Sequence, residues 1–342
     1  MGERQGPLRV QVWRGDWLES EHLVLAVAAD AEGRLVRTWG SPERVAYPRS
    51  SLKPLQAVPL VASGAAEAFG LEDAEIAVAC GSHSAEAYHL ATVRSLLVKA
   101  GLDESFLRCG AHRPIHQPSA DALVRAGEAP RALHNNCSGK HAGMLALARH
   151  LGAPPETYLD RDHPAQRRIR ATVAALAQVA EESVGVAVDG CSAPTFALPL
   201  AAAAGAFARL AAARTGLPGG DAAAARIARA MMAHPEWVGG SGRFDTVLMQ
   251  ALPGRLFCKG GAEGYFAVGV PAAGLGVVLK VLDGASRAAN PAAMHVLGAL
   301  GLLPDPLPAA PEAFAHPVER NVSGRVVGSI RIEAAGAESS CW

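Results

Sequence analysis

Ser50-Ser51-Leu52-Lys53-Pro54-Leu55-Gln56-Ala57-Val58-Pro59-Leu60-Val61 is the stretch on which the fold turns. Proline breaks a helix interior, but the first turn has backbone N–H groups with no internal partner, so Pro54 is compatible with a helix capped at Ser50 or Ser51. Upstream, residues 8–13 alternate, 22–28 form an apolar run, and Gly33-Arg34-Leu35-Val36 follows a turn. That pattern predicts a strand hairpin entering a sheet, followed by this helix.

Further along, 75–79 reads as a short apolar strand, after which Cys80-Gly81-Ser82-His83-Ser84 turns into a helix reaching about residue 100. Asn135-Asn136-Cys137-Ser138-Gly139 precedes a helix over about 140–150. Residues 184–188 lead into Asp189-Gly190-Cys191-Ser192-Ala193-Pro194 before a long Ala-rich helix. Three polar turns at helix starts point to one shared site. Residues 160–182 and 221–233 read as scaffold helices. Strands are expected at 257–259, 265–270 and 277–282, a helix around 288–303, a Pro-rich connector over 304–317 and a hairpin around 326–332. The fold expected is mixed α/β, a sheet with flanking helices. It forms one catalytic unit over 1–342, with the helical region about 84–235 as a subdomain.

With 342 residues, half of them hydrophobic and 19% charged, the chain can bury a large core. Lys+Arg and Asp+Glu balance at 32 each, which argues against nucleic acid or an anionic membrane and for a small-molecule substrate. No export-type leader and no run of ~20 apolar residues is seen, so the expectation is a cytoplasmic protein that spans no membrane. Six cysteines do not make a disulfide framework in a chain this long. Cys109 is expected in the core and Cys341 in a loose terminus.

Only five lysines stand against 27 arginines, and three fall in motifs rich in Ser, Cys and Gly: Lys53, Lys140 and Lys259. Guanidinium stays charged, whereas a desolvated ammonium can lose its proton, so these lysines point to chemistry. Ser50 and Lys53 share a helical face, the geometry of a serine nucleophile with a lysine base. The plain alternative for Ser50 is a cap, and the same holds for Ser82; His83 can be a structural imidazole. Lys259, flanked by Gly260 and Gly261, can serve either serine as base or electrostatic partner.

Cys137, Lys140 and Cys191 form a second grouping. Two thiolates suit zinc, with a third ligand and a water completing a tetrahedron, although a lysine ligand must bind deprotonated. Two buried structural cysteines, or a cysteine nucleophile, are the other readings. Arg49, Asp189 and Glu263 are charges beside these reactive groups. Arg243 and Asp245 follow Gly239-Gly240-Ser241-Gly242 in a loop suited to covering a site.

Taken together, Tyr47-Pro48-Arg49-Ser50-Ser51-Leu52-Lys53-Pro54, Ser82-His83-Ser84, Asn135-Asn136-Cys137-Ser138-Gly139-Lys140-His141-Ala142-Gly143-Met144, Asp189-Gly190-Cys191-Ser192-Ala193-Pro194 and Lys259-Gly260-Gly261-Ala262-Glu263-Gly264 resemble the rhizobial-type, thermolabile class of L-asparaginases. The resemblance implies hydrolysis of L-asparagine to L-aspartate and ammonia by a homodimer, on a fold similar to serine β-lactamases and glutaminases. It implies two Ser-Lys pairs, Ser50 with Lys53 and Ser82 with Lys259, beside a zinc held by Cys137, Lys140 and Cys191. It also implies that Asp189 is tied to the zinc surroundings. For the substrate itself, Arg49 is the candidate for the α-carboxylate and Asp189 or the zinc surroundings for the amino end, with His83 and Glu263 as further binding candidates. The rivals are a β-lactam or D-alanyl peptide hydrolase using the same Ser-x-x-Lys device, and a non-catalytic zinc-binding protein that keeps the fold.

Overall fold

A computed structural model describes residues 3–333; Cys341 lies outside the described residues. The central sheet runs in the order Val318–Arg320, Val326–Glu333, Leu8–Arg14, Trp17–Asp30, Leu275–Val281, Tyr265–Val270, Phe257–Gly261, with all these neighbours antiparallel. Leu35–Trp39 also pairs with Trp17–Asp30, and the short strand Glu3–Gln5 runs parallel to it. A smaller sheet joins Val45–Ala46, Pro194–Pro199 and Gly185–Val188.

The expected hairpin is therefore present, and its second strand is the middle of the sheet. Every residue from Val24 to Ala29 is buried, and because successive side chains alternate faces, both faces of that strand are covered. The Ala-rich helix Leu200–Ala211 and the helix Ser286–Ala299 both pack onto it. The Ala-rich helix also packs on the neighbouring strand Leu275–Val281, where Gly276 allows close approach. A methyl group there would lie 2.0 Å from the Ala204 carbonyl oxygen, so strand and helix backbones touch directly.

The remaining helices gather beside the edge strand Phe257–Gly261. Lys53–Ala62 packs on Gly220–Ala233, Pro164–Ala177 and Ser138–His150, and Pro54 lies in its first turn as expected. Ser138–His150 crosses Asp73–Ala79 at Gly139, where a side chain would meet the Val78 carbonyl oxygen at 2.3 Å. No helix among the described residues is long and apolar enough to cross a membrane.

Three expectations are corrected. Residues 75–79 are helical, because the Glu75 carboxylate accepts the Glu72 backbone N–H (2.8 Å) and fixes a helix start that a five-residue apolar run does not reveal. The helix after Ser82 begins only at Ala87, since 82–86 form an irregular segment tied down by bonds such as Ser82 N–H to the Val238 carbonyl. A strand, Pro194–Pro199, intervenes before the Ala-rich helix. The connector 304–317 also contains a short helix, Ala309–Ala315.

Candidate active site

Arg49–Leu52 forms a single 3-10 turn that continues into the helix Lys53–Ala62. Neither Ser50 nor Ser51 caps it. Ser51 instead donates its hydroxyl to the Lys259 carbonyl (2.8 Å), tying the turn to the edge strand. Gly261 permits that approach, because a methyl group there would sit 2.4 Å from the Pro48 carbonyl oxygen and 2.8 Å from Ser51 Oγ. In a 3-10 turn side chains three apart eclipse, so Ser50 and Lys53 project to the same side.

A cavity of about 600 Å³ opens beside this junction, and its wall includes Ser50, Ser82, Asn136, Arg243, Asp245 and Lys259. Both candidate serines and one candidate lysine thus meet on one surface, within the size range of small-ligand sites. Lys53 reaches it from behind. Only 1% exposed, it donates to the Gly81 carbonyl (2.6 Å) and to Ser82 Oγ (2.8 Å). The hydrogen bond between a lysine and a candidate serine therefore joins Lys53 to Ser82. Burial pushes the Lys53 pKa down against the opposing pull of Cys137 and Cys191, and Lys140 adds to the lowering.

Lys259 lines the same cavity. It lies 3.3 Å from Asp245 Oδ2 and donates to the Gly260 carbonyl at 2.7 Å. Asp245 also accepts the Gly260 backbone N–H at 3.1 Å. Burial lowers Lys259 to about 8; Asp245 opposes this, while Lys53 and Arg243 reinforce it. No hydrogen bond joins Lys259 to Ser82 among the described residues.

The three candidate metal ligands converge. Lys140 Nζ lies 3.0 Å from Cys191 Sγ, and both cysteines are buried. A hydrogen bond from Cys191 lowers the Cys137 thiol well below its ordinary value against the effect of burial, with Lys53 and Lys140 assisting. Cys191 is correspondingly raised, first by that shared hydrogen bond and then by burial. Burial alone would lower Lys140, but the two sulfurs hold it above its ordinary value. Among the described residues no group of three or more His, Cys, Asp or Glu side chains is placed to hold a metal. A metal here would rest on two sulfurs and, once it had displaced the ammonium proton, the Lys140 amine, leaving one position of a zinc tetrahedron open.

The other candidates are placed differently. Arg49 and Asp189, expected at opposite ends of a substrate, pair with each other: Arg49 Nη2 lies 2.6 Å from Asp189 Oδ1. Burial would raise the Asp189 carboxyl, yet Lys140, the Gly190 N–H and Arg49 hold it below its ordinary value. His83 is fully buried and has both ring nitrogens committed. Nδ1 accepts the Ala85 N–H (3.1 Å), so Nε2 carries the proton and donates to Ser138 Oγ (2.8 Å). Burial lowers its pKa well below 6.5, with His89 and Lys53 adding to the effect. Glu263 is exposed in the turn after the edge strand and is not among the residues lining the cavity, although its neighbours Ala262 and Gly264 are.

Backbone strain gathers here too. Of the six non-glycine residues with positive φ among the described residues, Arg49 precedes Ser50, Ser192 follows Cys191, Ala85 follows Ser84 and Glu263 lies in the Lys259 motif. Arg287 and Asn290 were not singled out by sequence reasoning; Asn136 lay inside a quoted motif without a role, and Ser51 was read only as a cap.

This combination of an edge-strand lysine, a Ser-x-x-Lys turn and two buried thiols near Lys53 defines a hydrolase-like site with two alcohols and two buried amines. The sequence profile of the L-asparaginase II family matches residues 10–332, and the chain belongs to that family. No curated protein matches it. Among solved structures it resembles Mglu in its native form at 16% identity and a TM-score of 0.46, over 82% of this chain and 64% of that one. It also resembles a β-lactamase from Mycobacterium bovis (16%, TM-score 0.34, 82% and 95%) and simvastatin synthase from Aspergillus terreus (12%, TM-score 0.39, 75% and 86%). The chain spans less than two thirds of the length of the Mglu structures it matches. At these identities and scores the likenesses carry no functional weight.

Proposed function

We propose that the chain hydrolyses the side-chain amide of L-asparagine to L-aspartate and ammonia. The family membership supports the substrate, and the observation that carries the mechanism is the buried Lys53 amine hydrogen-bonded to Ser82 at a cavity that also exposes Ser50. Ser50 Oγ attacks the amide carbon, and its proton passes to neutral Lys53 on the same side of the 3-10 turn. The C–N bond then breaks and ammonia leaves with a proton returned from Lys53, which leaves a β-aspartyl ester on Ser50. Water cleaves that ester: its proton passes through Ser82 to Lys53, which returns one to Ser50 Oγ as L-aspartate leaves, while Lys259 balances charge in the same cavity.

In this reading Cys137, Lys140 and Cys191 hold a zinc ion, which when bound supplies Lewis-acid pairing for one end of the substrate. Asp189 and Arg49 brace that site through their ion pair. Assembly as a homodimer in the cytoplasm completes the proposal.

Ammonia release from L-asparagine by wild type, Ser50→Ala and Ser82→Ala tests it, with hydroxylamine trapping of the acyl intermediate. Loss of trapping in Ser50→Ala is expected, together with slowed turnover and retained trapping in Ser82→Ala. Full activity in Ser50→Ala would reject the attacking group, and wild-type inactivity on asparagine would reject the substrate. The β-lactam alternative predicts nitrocefin turnover instead.

A further inference from the structure

An amino-acid substrate brings an α-carboxylate into the cavity, and a carboxylate taken out of water needs a cation and hydrogen-bond donors. Three cationic side chains line the wall: Lys259, Arg287 and Arg243. Lys259 is engaged by Asp245 and the Gly260 carbonyl. Arg287 donates to His22 Nε2 (3.0 Å) and Ser20 Oγ (2.7 Å), which draws it toward the sheet. Arg49, just outside the wall, is engaged by Asp189. Among the described residues the Arg243 guanidinium alone in this group has no hydrogen-bond or ion-pair partner.

The position of Arg243 is nevertheless built. Its backbone N–H bonds the Gly240 carbonyl (3.2 Å), and its own carbonyl accepts the Val247 N–H (2.9 Å) at the start of the helix Phe244–Ala251. The side-chain stem lies against Gly239, where an added methyl would come within 3.1 Å of Arg243 Cβ. The preceding loop is clamped in turn: Glu86 accepts the Ser241 N–H (2.8 Å) and the Ser241 hydroxyl (2.7 Å), and Thr246 Oγ1 accepts the Gly240 N–H (3.1 Å). Two residues on, Asp245 meets Lys259, so the segment that presents Arg243 is fixed at both ends to the catalytic wall.

We propose that Arg243 receives the α-carboxylate of the substrate and thereby selects a free amino acid over its α-amide. This rests on the asparaginase reading above and departs from the expectation that Arg49 fills the role. Guanidinium offers a planar pair of donors that matches a carboxylate, whereas the amide of L-asparaginamide presents only one acceptor and no charge.

The experiment compares wild type, Arg243→Gln and Arg243→Lys on L-asparagine and L-asparaginamide, with calorimetric titration of L-aspartate and its α-amide, isoasparagine. The kcat/KM preference for asparagine over asparaginamide should fall roughly 10- to 100-fold in Arg243→Gln, mostly through KM, with partial recovery in Arg243→Lys. L-aspartate affinity should weaken by a similar factor while isoasparagine affinity holds. An unchanged preference, or equal losses on both substrates, would overturn the assignment. Wild type that binds L-aspartate in an Arg243-dependent way yet releases no ammonia would instead sink the asparaginase reading and leave this one standing.

Discussion

Lys53 and Lys259 are buried to the same extent, each 1% exposed, yet their surroundings differ in kind. Lys53 touches a carbonyl and a serine hydroxyl, and the opposing charge near it comes from sulfur. Lys259 touches a carbonyl and a carboxylate. Burial drives both amines toward neutrality, so the partner decides how far each goes. The amine that faces a hydroxyl without a carboxylate is suited to take a proton. Its counterpart, held by Asp245, is suited to balance charge.

The largest effect should come from erasing the first environment. Lys53→Met should lower kcat for asparagine by about 10³-fold, in the range of lost general-base catalysis, while Lys259→Met loses distinctly less. The apolar replacement fills a site that already carries a desolvation cost, so thermal stability should hold or improve. Equal losses in the two variants, measured by steady-state ammonia release, would show that the two amines are not specialised.

A smaller effect should follow from making the second environment like the first. Asp245→Asn keeps an acceptor for the Gly260 N–H but removes the charge that holds Lys259 up, so its pKa moves below about 8. The alkaline limb of kcat/KM that Lys259 governs should then shift about one unit toward lower pH. Stability gives an independent check on the sign. With a folded pKa of about 8 against an ordinary 10.5, the unfolded chain holds the extra proton between those values, so stability rises with pH through that window. In Asp245→Asn the rise should begin at lower pH. A limb that moves upward, or a window that stays put, would contradict the role given to Asp245.

Much of this was readable before any coordinates, because lysine is rare in the chain. The three lysines in Ser, Cys and Gly motifs are the three that are buried, while Lys99 and Lys280 remain partly exposed and bond to Glu75 and to the Glu263 carbonyl. The hairpin and the edge strand were legible from alternation and glycine-bounded apolar runs. The helix over Asp73–Ala79 was not, since its apolar residues do not extend far enough to show a period. Partner choice was not legible either. The spacing of Ser50 and Lys53 says that they share a face, but only tertiary packing brings Gly81 and Ser82 onto the Lys53 amine. Nor could residue type alone show that Arg49 is consumed by Asp189, 140 positions away, while Arg243 is left for a ligand.

The thiol pair provides the mildest and most selective way to separate the two environments. Removing zinc from the proposed Cys137, Lys140 and Cys191 site leaves the sulfurs and the Lys140 ammonium to hold one another, since Lys140 already meets Cys191 at 3.0 Å. The cluster should keep its shape, and the loss should appear in substrate binding. Chelation should therefore raise KM several-fold while lowering kcat less, and added zinc should restore KM. The groups that set Lys259 are burial, Asp245, Lys53 and Arg243, none of them a proposed metal ligand. Its pH limb should consequently stay in place through chelation. An equal fall in kcat would make the metal part of the bond-breaking machinery, and a displaced limb would show that the two environments titrate as one unit.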